Sequence, residues 1–200
     1  RVLMELNLNN KKILITGGSK GIGRGIAKDL NAIGAKVAIC SRNQKNLDNV
    51  DFLRKEFKFK ADVTIPEQAE NLVKNVIKNL GGLDSLICNV GNGNSAPPGK
   101  EKHSDWQKSI SENLYSTTNM VEVSKQHLSS SNGNILCISS ICGVESIKGA
   151  PITYSVAKSA LNSYIRSASR PLSELNIRIN GIAPGNVLFK DSSWEAKRIK

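Results

Sequence analysis

The sequence predicts an α/β fold, a doubly wound parallel sheet with helices on both faces. Short apolar runs rich in β-branched residues recur along the chain, and they lack the polar alternation of a strand with one face in water. The stretches between them carry apolar residues at helical spacing together with helix-end signals. Strands that alternate with helices favour a parallel sheet, in which ligands bind beyond the carboxyl ends of the strands.

The strand candidates follow one another along the whole chain. The apolar runs predict strands at 13–16, 37–40, 86–88, 135–139 and 177–182, and alternating phenylalanines predict a weaker one at 57–61. The residues directly after these strands are therefore the first candidates for ligand contacts.

The helix candidates lie between the strands. Apolar residues at helical spacing over 22–33 predict a first helix that ends at Gly34, and a similar pattern over 157–172 predicts the last long helix. Capping boxes predict two further helix starts, at Thr64 with Glu67 and at Ser104 with Gln107.

Composition and charge predict a single globular domain over residues 1–200. The hydrophobic fraction of 39% and the charged fraction of 22% are typical of soluble chains. The net charge of +11 is scattered rather than concentrated, and 4% of the residues are aromatic, which argues against a nucleic-acid partner. Because no apolar run is long enough to span a membrane and the cysteines lack metal-ligand spacing, we expect a cytoplasmic protein without a metal site.

A glycine-rich turn, TGGSKGIG at 16–23, joins the first predicted strand to the first helix. Glycines allow a tight turn and let a phosphate and the neighbouring strand approach the backbone closely. The helix that follows offers unpaired N–H groups and a partial positive charge to an anion. We predict that the turn binds a dinucleotide cofactor through Gly17, Ser19, Lys20, Gly21, Ile22 and Gly23.

The end of the second predicted strand indicates which dinucleotide binds. Folds that bind NAD(H) generally place a carboxylate there for the ribose 2′-hydroxyl, but Ser41 and Arg42 follow this strand. Arg42 can bind a 2′-phosphate, and Lys20 adds a second cation from the glycine turn. We predict NADP(H) rather than NAD(H); the alternative is that Arg42 is a solvated loop charge.

A candidate catalytic pair, Tyr154 and Lys158, lies in the last predicted helix. Residues four apart share one helical face, so we expect the lysine ammonium near the tyrosine phenol. A nearby cation stabilises the phenolate and lowers the pKa of a tyrosine from its usual value of about 10. The phenol then becomes usable as an acid or base near neutrality.

In order and spacing, these motifs over 11–185 resemble the compact branch of the short-chain dehydrogenase/reductase family. The resemblance implies a Rossmann-type sheet and NADP(H)-dependent interconversion of a carbonyl and a secondary alcohol on a small molecule. It assigns Ser140 to the substrate oxygen, with Ser139 as the less favoured rival. It also implies that Asn113 holds a water linking Lys158 to solvent.

The resemblance implies further cofactor contacts after the third, fourth and sixth strands. They are Asp62, Val63, Asn89, Gly91, Pro184 and Gly185, with Tyr154 and Lys158 from the last helix. Two positions depart from the family pattern. Cys88 stands where a first asparagine is usual, and Asn186 stands where a threonine is frequent, which leaves the contact with the nicotinamide carboxamide open.

The resemblance also carries expectations about assembly and substrate. Family members usually dimerise through the helices that start here near Ser104 and Tyr154, so we expect a homodimer or homotetramer. A subgroup associated with surface-sugar biosynthesis has similar segments at 89–93, 97–100, 139–143 and 184–186. Two alternatives stay open: a non-catalytic NADP(H)-binding sensor or scaffold, and a sugar-nucleotide epimerase or dehydratase on the same core.

Both ends of the chain are unusual for a complete protein. Three residues precede Met4, and the chain stops at Lys200 inside a charged stretch. Because the family continues through substrate-covering helices and a final edge strand, we expect a fragment that lacks this lid and this strand.

Overall fold

The centre of the protein is a parallel six-stranded sheet with the strand order β3-β2-β1-β4-β5-β6. The structure is a computed structural model and describes residues 8–188. The strands are β1 Lys12–Thr16, β2 Lys36–Ser41, β3 Lys58–Lys60, β4 Ser85–Cys88, β5 Asn134–Ile138 and β6 Arg178–Ile182. The chain builds outward from β1 to β3 and then returns to β4, which makes the sheet doubly wound as predicted.

Helices cover both faces of this sheet. They are α1 Gly21–Ala32, α2 Gln44–Asp48, α3 Pro66–Leu80, α4 His103–Ile110, α5 Ser116–Ser129 and α6 Ile152–Glu174. A π-helical turn, Ser111–Tyr115, joins α4 to α5, and 3-10 turns span Lys55–Phe57 and Ile141–Gly143. Within residues 8–188, no helix combines the length and the apolar character needed to cross a membrane.

Two hydrophobic cores, one on each face, hold the helices against the sheet. Leu14 of β1 belongs to the core that contains Val76 and Met120, whereas its neighbour Ile15 belongs to the core that contains Ala27. All five side chains are fully buried. Because successive side chains of a strand point to opposite faces, an apolar run without polar alternation needs both faces covered, which the two cores provide.

The start of α3 differs from the predicted capping box. The helix begins at Pro66, and its N-cap is Ile65 rather than Thr64. The Thr64 hydroxyl donates to Asp62 Oδ1 at 2.7 Å and so stabilises the preceding turn instead. The predicted cap is therefore wrong, because proline is already shaped for the first helical position and sets the start of the helix.

The start of α4 also lies upstream of the prediction. The helix begins at His103, so Ser104 is its second residue rather than its N-cap. The N-cap is Lys102, and its backbone amide donates a hydrogen bond to Asp105 Oδ2 at 2.8 Å. The predicted cap at Ser104 is therefore wrong, because the carboxylate of Asp105 stabilises a helix start that lies two residues earlier.

Candidate active site

A cavity of about 580 Å³ lies at the carboxyl edge of the sheet, beside the point where the strand order reverses. Its volume is typical of small-molecule and cofactor sites. Its walls include most of the predicted cofactor contacts: Gly17, Ser19, Lys20, Gly21, Ile22, Ser41, Arg42, Asp62, Val63, Asn89, Gly91, Tyr154 and Lys158. The fold thus brings together residues that lie as much as 141 positions apart, the separation of Gly17 from Lys158.

The glycine turn has the backbone that an anion site requires. Gly17 and Gly21 adopt φ values of +64° and +55°, which glycine tolerates best. Lys20, the N-cap of α1, makes no side-chain cap hydrogen bond to the described residues, and the first helical turn contains no acidic residue. The first amides of α1 are therefore available to a phosphate, and the residues present fit a dinucleotide.

Arg42 is ion-paired at the edge of the cavity. Its two terminal guanidinium nitrogens each lie 3.2 Å from Glu112 Oε1, and Nη1 lies 3.7 Å from Asp62 Oδ2. Its side chain is 56% exposed, so the charge is partly solvated as well as balanced by two carboxylates. The cation that the sequence predicts to select the cofactor therefore already has partners within the protein.

Tyr154 lies in the first turn of α6, on the cavity wall. Burial raises the pKa of its phenol, and a side-chain hydrogen bond with Ser140 opposes that rise. The predicted lowering of this pKa by Lys158 is wrong for this structure, because burial dominates and the lysine Nζ lies 6.0 Å from the centre of the tyrosine ring. The phenol consequently keeps its proton at neutral pH.

Two serines follow β5, and the structure distinguishes them. Ser139 Oγ donates to Asn162 Oδ1 at 2.6 Å, which engages its hydroxyl with α6 although the residue lines the cavity. Ser140 Oγ accepts from Cys142 N at 3.2 Å, and this serine is the one bonded to Tyr154. The hydroxyl placed beside the phenol is therefore that of Ser140.

Lys158 lines the cavity although it is almost completely buried, with 3% of its surface exposed. Its Nζ donates to the Ile138 carbonyl at 2.9 Å, at the end of β5. Burial lowers the pKa of this ammonium to about 8. A group whose pKa is near neutrality can give up and regain a proton at little cost in free energy.

Asn113 lies in the π-helical turn, where the sequence predicted ordinary helix. Its side chain is fully buried: Oδ1 accepts from Asn92 N at 2.9 Å, and Nδ2 donates to the Asn92 carbonyl at 3.1 Å. A Cβ built on Gly91 would lie 2.9 Å from Asn113 Oδ1 and 3.0 Å from Lys158 Nζ. Both polar groups therefore lie close to Gly91, and a side chain at this position would crowd them.

Comparison with known proteins now decides the family, because residues 11–197 match the family described as short chain dehydrogenase. The chain belongs to this family. An uncharacterised oxidoreductase of Staphylococcus aureus (strain MW2) is 31% identical over 184 residues, which cover 90% of this chain and 79% of the relative. Members of the family oxidise and reduce alcohol and carbonyl groups with nicotinamide cofactors.

Solved structures agree with this assignment. A short-chain dehydrogenase/reductase of unknown function from Caenorhabditis elegans, with cofactor, superposes with a TM-score of 0.87 at 26% identity, covering 96% of this chain and 78% of that one. An NADH-dependent reductase complexed with NAD superposes with a TM-score of 0.82 at 25% identity, covering 92% and 82%. The Rossmann-type fold and the family predicted from the sequence are thus confirmed.

Three predicted cofactor contacts of this short-chain dehydrogenase lie outside the cavity wall: Gly23, Pro184 and Gly185. Gly23, the last residue of the glycine turn, is buried in the first turn of α1. The Pro184 carbonyl accepts from Ile141 N at 3.0 Å, which ties the segment after β6 to the 3-10 turn. A Cβ on Gly185 would meet no atom of the described residues within 4 Å.

Two residues of this short-chain dehydrogenase that hold site residues in place, Glu112 and Asn92, were not predicted from the sequence. Glu112, the partner of Arg42, lies 70 residues from it in the sequence. Asn92 donates from its side chain to Glu112 Oε2 at 3.1 Å and binds Asn113 through its backbone. Neither was given a role from the sequence. The available signals were that Asn92 directly follows Gly91, a predicted cofactor contact, and that Glu112 directly precedes Asn113, a predicted catalytic residue.

Replacing Gly23 by alanine is expected to destabilise the glycine turn of this short-chain dehydrogenase. The added Cβ would lie 2.6 Å from the Gly17 carbonyl oxygen and closer still to Asn89 Nδ2. Overpacking of this kind costs about 1–3 kcal/mol of unfolding free energy. Urea unfolding measures the loss.

The matched control for this prediction is Gly25→Ala in the same helix. A Cβ at this exposed position would meet no atom of residues 8–188 within 4 Å. Because alanine favours a helix over glycine, the control is expected to gain up to about 1 kcal/mol. Equal stabilities of the two variants would contradict the close approach.

Proposed function

We propose that the protein is an NADP(H)-dependent oxidoreductase that interconverts a carbonyl and a secondary alcohol on a small molecule by hydride transfer. The observation that carries the proposal is the position of Tyr154 and Lys158, which line the same cavity as the glycine turn and Arg42. A proton donor and a dinucleotide site in one space are what reduction of a carbonyl requires. Reduction of a panel of carbonyl compounds, followed by loss of NADPH fluorescence, tests the proposal.

The proposed cofactor contacts divide the cavity into a phosphate end and a reacting end. The residues that would hold the cofactor are Gly17, Ser19, Lys20, Gly21, Ile22 and Gly23 for the pyrophosphate, Ser41, Arg42, Asp62 and Val63 for the adenosine half, and Asn89, Gly91, Tyr154, Lys158, Pro184 and Gly185 for the nicotinamide half. When bound, the cofactor supplies or accepts a hydride. The uncapped amides at the start of α1 support this orientation, because a helix N-terminus without a side-chain cap can bind a phosphate.

Tyr154 is the proposed proton donor to the substrate oxygen in the direction of reduction. The burial that raises the pKa of its phenol keeps it protonated at neutral pH, and the hydroxyl of Ser140, bonded to the phenol, would hold the same oxygen. Lys158, with its pKa of about 8, would return a proton to the phenol. Asn113, which like the lysine lies close to Gly91, would position the water that carries protons from solvent.

The preference for NADP(H) over NAD(H) rests on Arg42. Arg42→Ala is expected to weaken NADPH binding by about tenfold to a hundredfold, since charged hydrogen bonds contribute about 1.5–3 kcal/mol each. NADH, which lacks the 2′-phosphate, is expected to lose little affinity. Fluorescence titration with both nucleotides measures the two dissociation constants.

The matched control for this titration is Arg54→Ala, which removes the same charge from an exposed residue paired with Glu56. This variant is expected to bind both nucleotides as the wild type does. Equal losses of NADPH and NADH affinity in Arg42→Ala would argue against a 2′-phosphate contact.

We also propose that the protein assembles as a homodimer or a homotetramer. Exposed apolar side chains on the π-helical turn and α6, Tyr115 at 53% and Val156 at 43%, support a contact through these elements.

The substrate we propose is an intermediate of surface-sugar biosynthesis, because several loop segments of the chain are similar to those of a subgroup associated with that process. The free state of all four cysteines, three of them buried, supports a reducing compartment such as the cytoplasm.

A further inference from the structure

The ion pair between Arg42 and Glu112 joins the cavity wall at Arg42 to the π-helical turn, whose Glu112 does not itself line the cavity. Arg42 follows β2, and Glu112 belongs to the π-helical turn between α4 and α5. Two guanidinium nitrogens share a single carboxylate oxygen, Glu112 Oε1, at 3.2 Å each. The guanidinium is therefore directed toward the protein's own carboxylate rather than toward open solvent.

The carboxylate of Glu112 is the stationary partner of this pair. Its side chain is 9% exposed, and its second oxygen, Oε2, accepts from Asn92 Nδ2 at 3.1 Å. Asn92 is itself held by the side chain of Asn113 through two backbone hydrogen bonds. Because Arg42 is 56% exposed while Glu112 is anchored, only the arginine is free to move toward a ligand.

The local charge balance disfavours an added anion. Arg42 contributes one positive charge, whereas Glu112 and Asp62 contribute one negative charge each within 3.7 Å of the guanidinium. A phosphate brought to Arg42 must share the guanidinium with both carboxylates and is repelled by them at short range. A dinucleotide whose 2′-position is a neutral hydroxyl meets no such repulsion.

We infer that Glu112 is a specificity-determining residue that competes with a ribose 2′-phosphate for Arg42. This competition reduces the factor by which the protein binds NADPH more tightly than NADH. The inference rests on the proposed function, because it assumes that the 2′-position of the cofactor lies at Arg42. Glu112 then weakens the binding of a 2′-phosphate, and this offsets part of the affinity for NADPH that Arg42 contributes. The affinities of the protein for NADPH and NADH are then more similar than they would be with Arg42 unpaired.

Glu112 is a better candidate for this role than Asp62. Asp62 lies farther from the guanidinium, at 3.7 Å, and its Oδ1 accepts from both the backbone and the hydroxyl of Thr64, at 3.0 and 2.7 Å. That carboxylate therefore shapes the turn before α3, and its replacement changes the backbone as well as the charge. Glutamine at position 112 can still accept from Asn92, so Glu112→Gln removes the charge and retains the anchor.

The test is fluorescence titration of the full chain with NADPH and with NADH, for the wild type and Glu112→Gln. The variant is expected to bind NADPH about five- to tenfold more tightly and NADH within about twofold of the wild type. The matched control is Glu122→Gln, which removes the same charge from an exposed residue of α5 paired with Lys125. That control is expected to change neither dissociation constant.

Two outcomes overturn the inference while leaving the proposed function intact. If Glu112→Gln weakens NADPH binding, then Glu112 orients Arg42 for the phosphate rather than competing with it. If both nucleotides respond equally, then Glu112 does not act on the 2′-position. A folded wild type that binds neither nucleotide overturns the proposed function itself, and the inference with it.

A second variant covers the case in which Glu112→Gln does not fold, as judged by circular dichroism and thermal unfolding. Glu112→Asp keeps the charge but withdraws it from Arg42 by one methylene. The inference then expects a smaller tightening of NADPH binding, about twofold to threefold, with NADH unchanged. Unchanged or weaker NADPH binding by this variant contradicts it.

Discussion

Replacing Tyr154 by phenylalanine is expected to lower kcat for carbonyl reduction by about 10²–10⁴-fold, the usual contribution of a positioned general acid. The substitution removes one oxygen atom from a half-buried ring and leaves the packing of α6 in place. NADPH affinity is therefore expected to stay within about threefold of the wild type. Steady-state kinetics and fluorescence titration of the same preparation measure the two quantities.

The matched control for this substitution is Tyr164→Phe. Tyr164 lies on the same helix, packs against the hydrophobic core and does not line the cavity. Its variant is expected to keep the wild-type kcat. A Tyr154→Phe enzyme that retains most of its activity would show that another group donates the proton, and the assignment of Tyr154 would then fall.

Replacing Lys158 by methionine is expected to abolish most activity and at the same time to stabilise the fold at neutral pH. The wild-type ammonium is buried, and its pKa is lowered from 10.5 to about 8. The charged form is thus disfavoured in the folded state by about 3 kcal/mol. Methionine removes this cost but leaves the Ile138 carbonyl without its partner, so the expected net gain is about 1–2 kcal/mol.

The pH dependence of this gain follows from the direction of the pKa change. Below pH 8 the lysine is charged in both the folded and the unfolded state, and the full cost of burying the charge is present. Between pH 8 and 10.5 the unfolded chain binds a proton that the folded protein releases, so the lysine's contribution to stability rises with pH. The advantage of Lys158→Met is therefore expected to shrink across this interval.

The measurement is urea unfolding of the wild type and Lys158→Met at pH 7 and at pH 10. The difference between the two proteins is the useful quantity, because other buried groups titrate in the same range. Burial raises the pKa of the Cys40 thiol to about 12, for example, and this lowers the stability of both proteins at high pH. A difference in unfolding free energy that is the same at both pH values would contradict the assigned burial of the charge.

Local sequence determined the elements and their order. The predicted strand at 13–16 differs from β1 by one residue at its start, and the one at 135–139 is shifted from β5 by one residue. Runs of β-branched apolar residues are a local property that tertiary contacts reinforce. The glycine turn could likewise be predicted from local sequence, because a positive φ at Gly17 and Gly21 needs only the absence of a side chain. The position of Tyr154 and Lys158 on one face of a helix is also a feature that local sequence predicts.

Helix starts and the π-helical turn were predicted less well from local sequence. Thr64 and Ser104 are good capping residues, but Pro66 and Asp105 competed with them over the same few positions and determined where each helix begins. The π-helical turn at Asn113 depends on hydrogen bonds to Asn92, which belongs to a different segment. A pattern of apolar residues cannot distinguish such a turn from ordinary helix.

The chemistry of the site was decided by the tertiary structure. The sequence placed a lysine beside Tyr154 and so predicted a lowered phenol pKa, whereas burial raises the pKa of that phenol and lowers that of Lys158. The partner of Arg42 was likewise beyond the reach of any motif, because Glu112 lies 70 residues away. The sequence by itself thus determined which residue types follow each strand. Burial and long-range ion pairing exist only once distant segments pack together, and they decide the direction in which the pKa values of Tyr154 and Lys158 move and the partners that Arg42 finds.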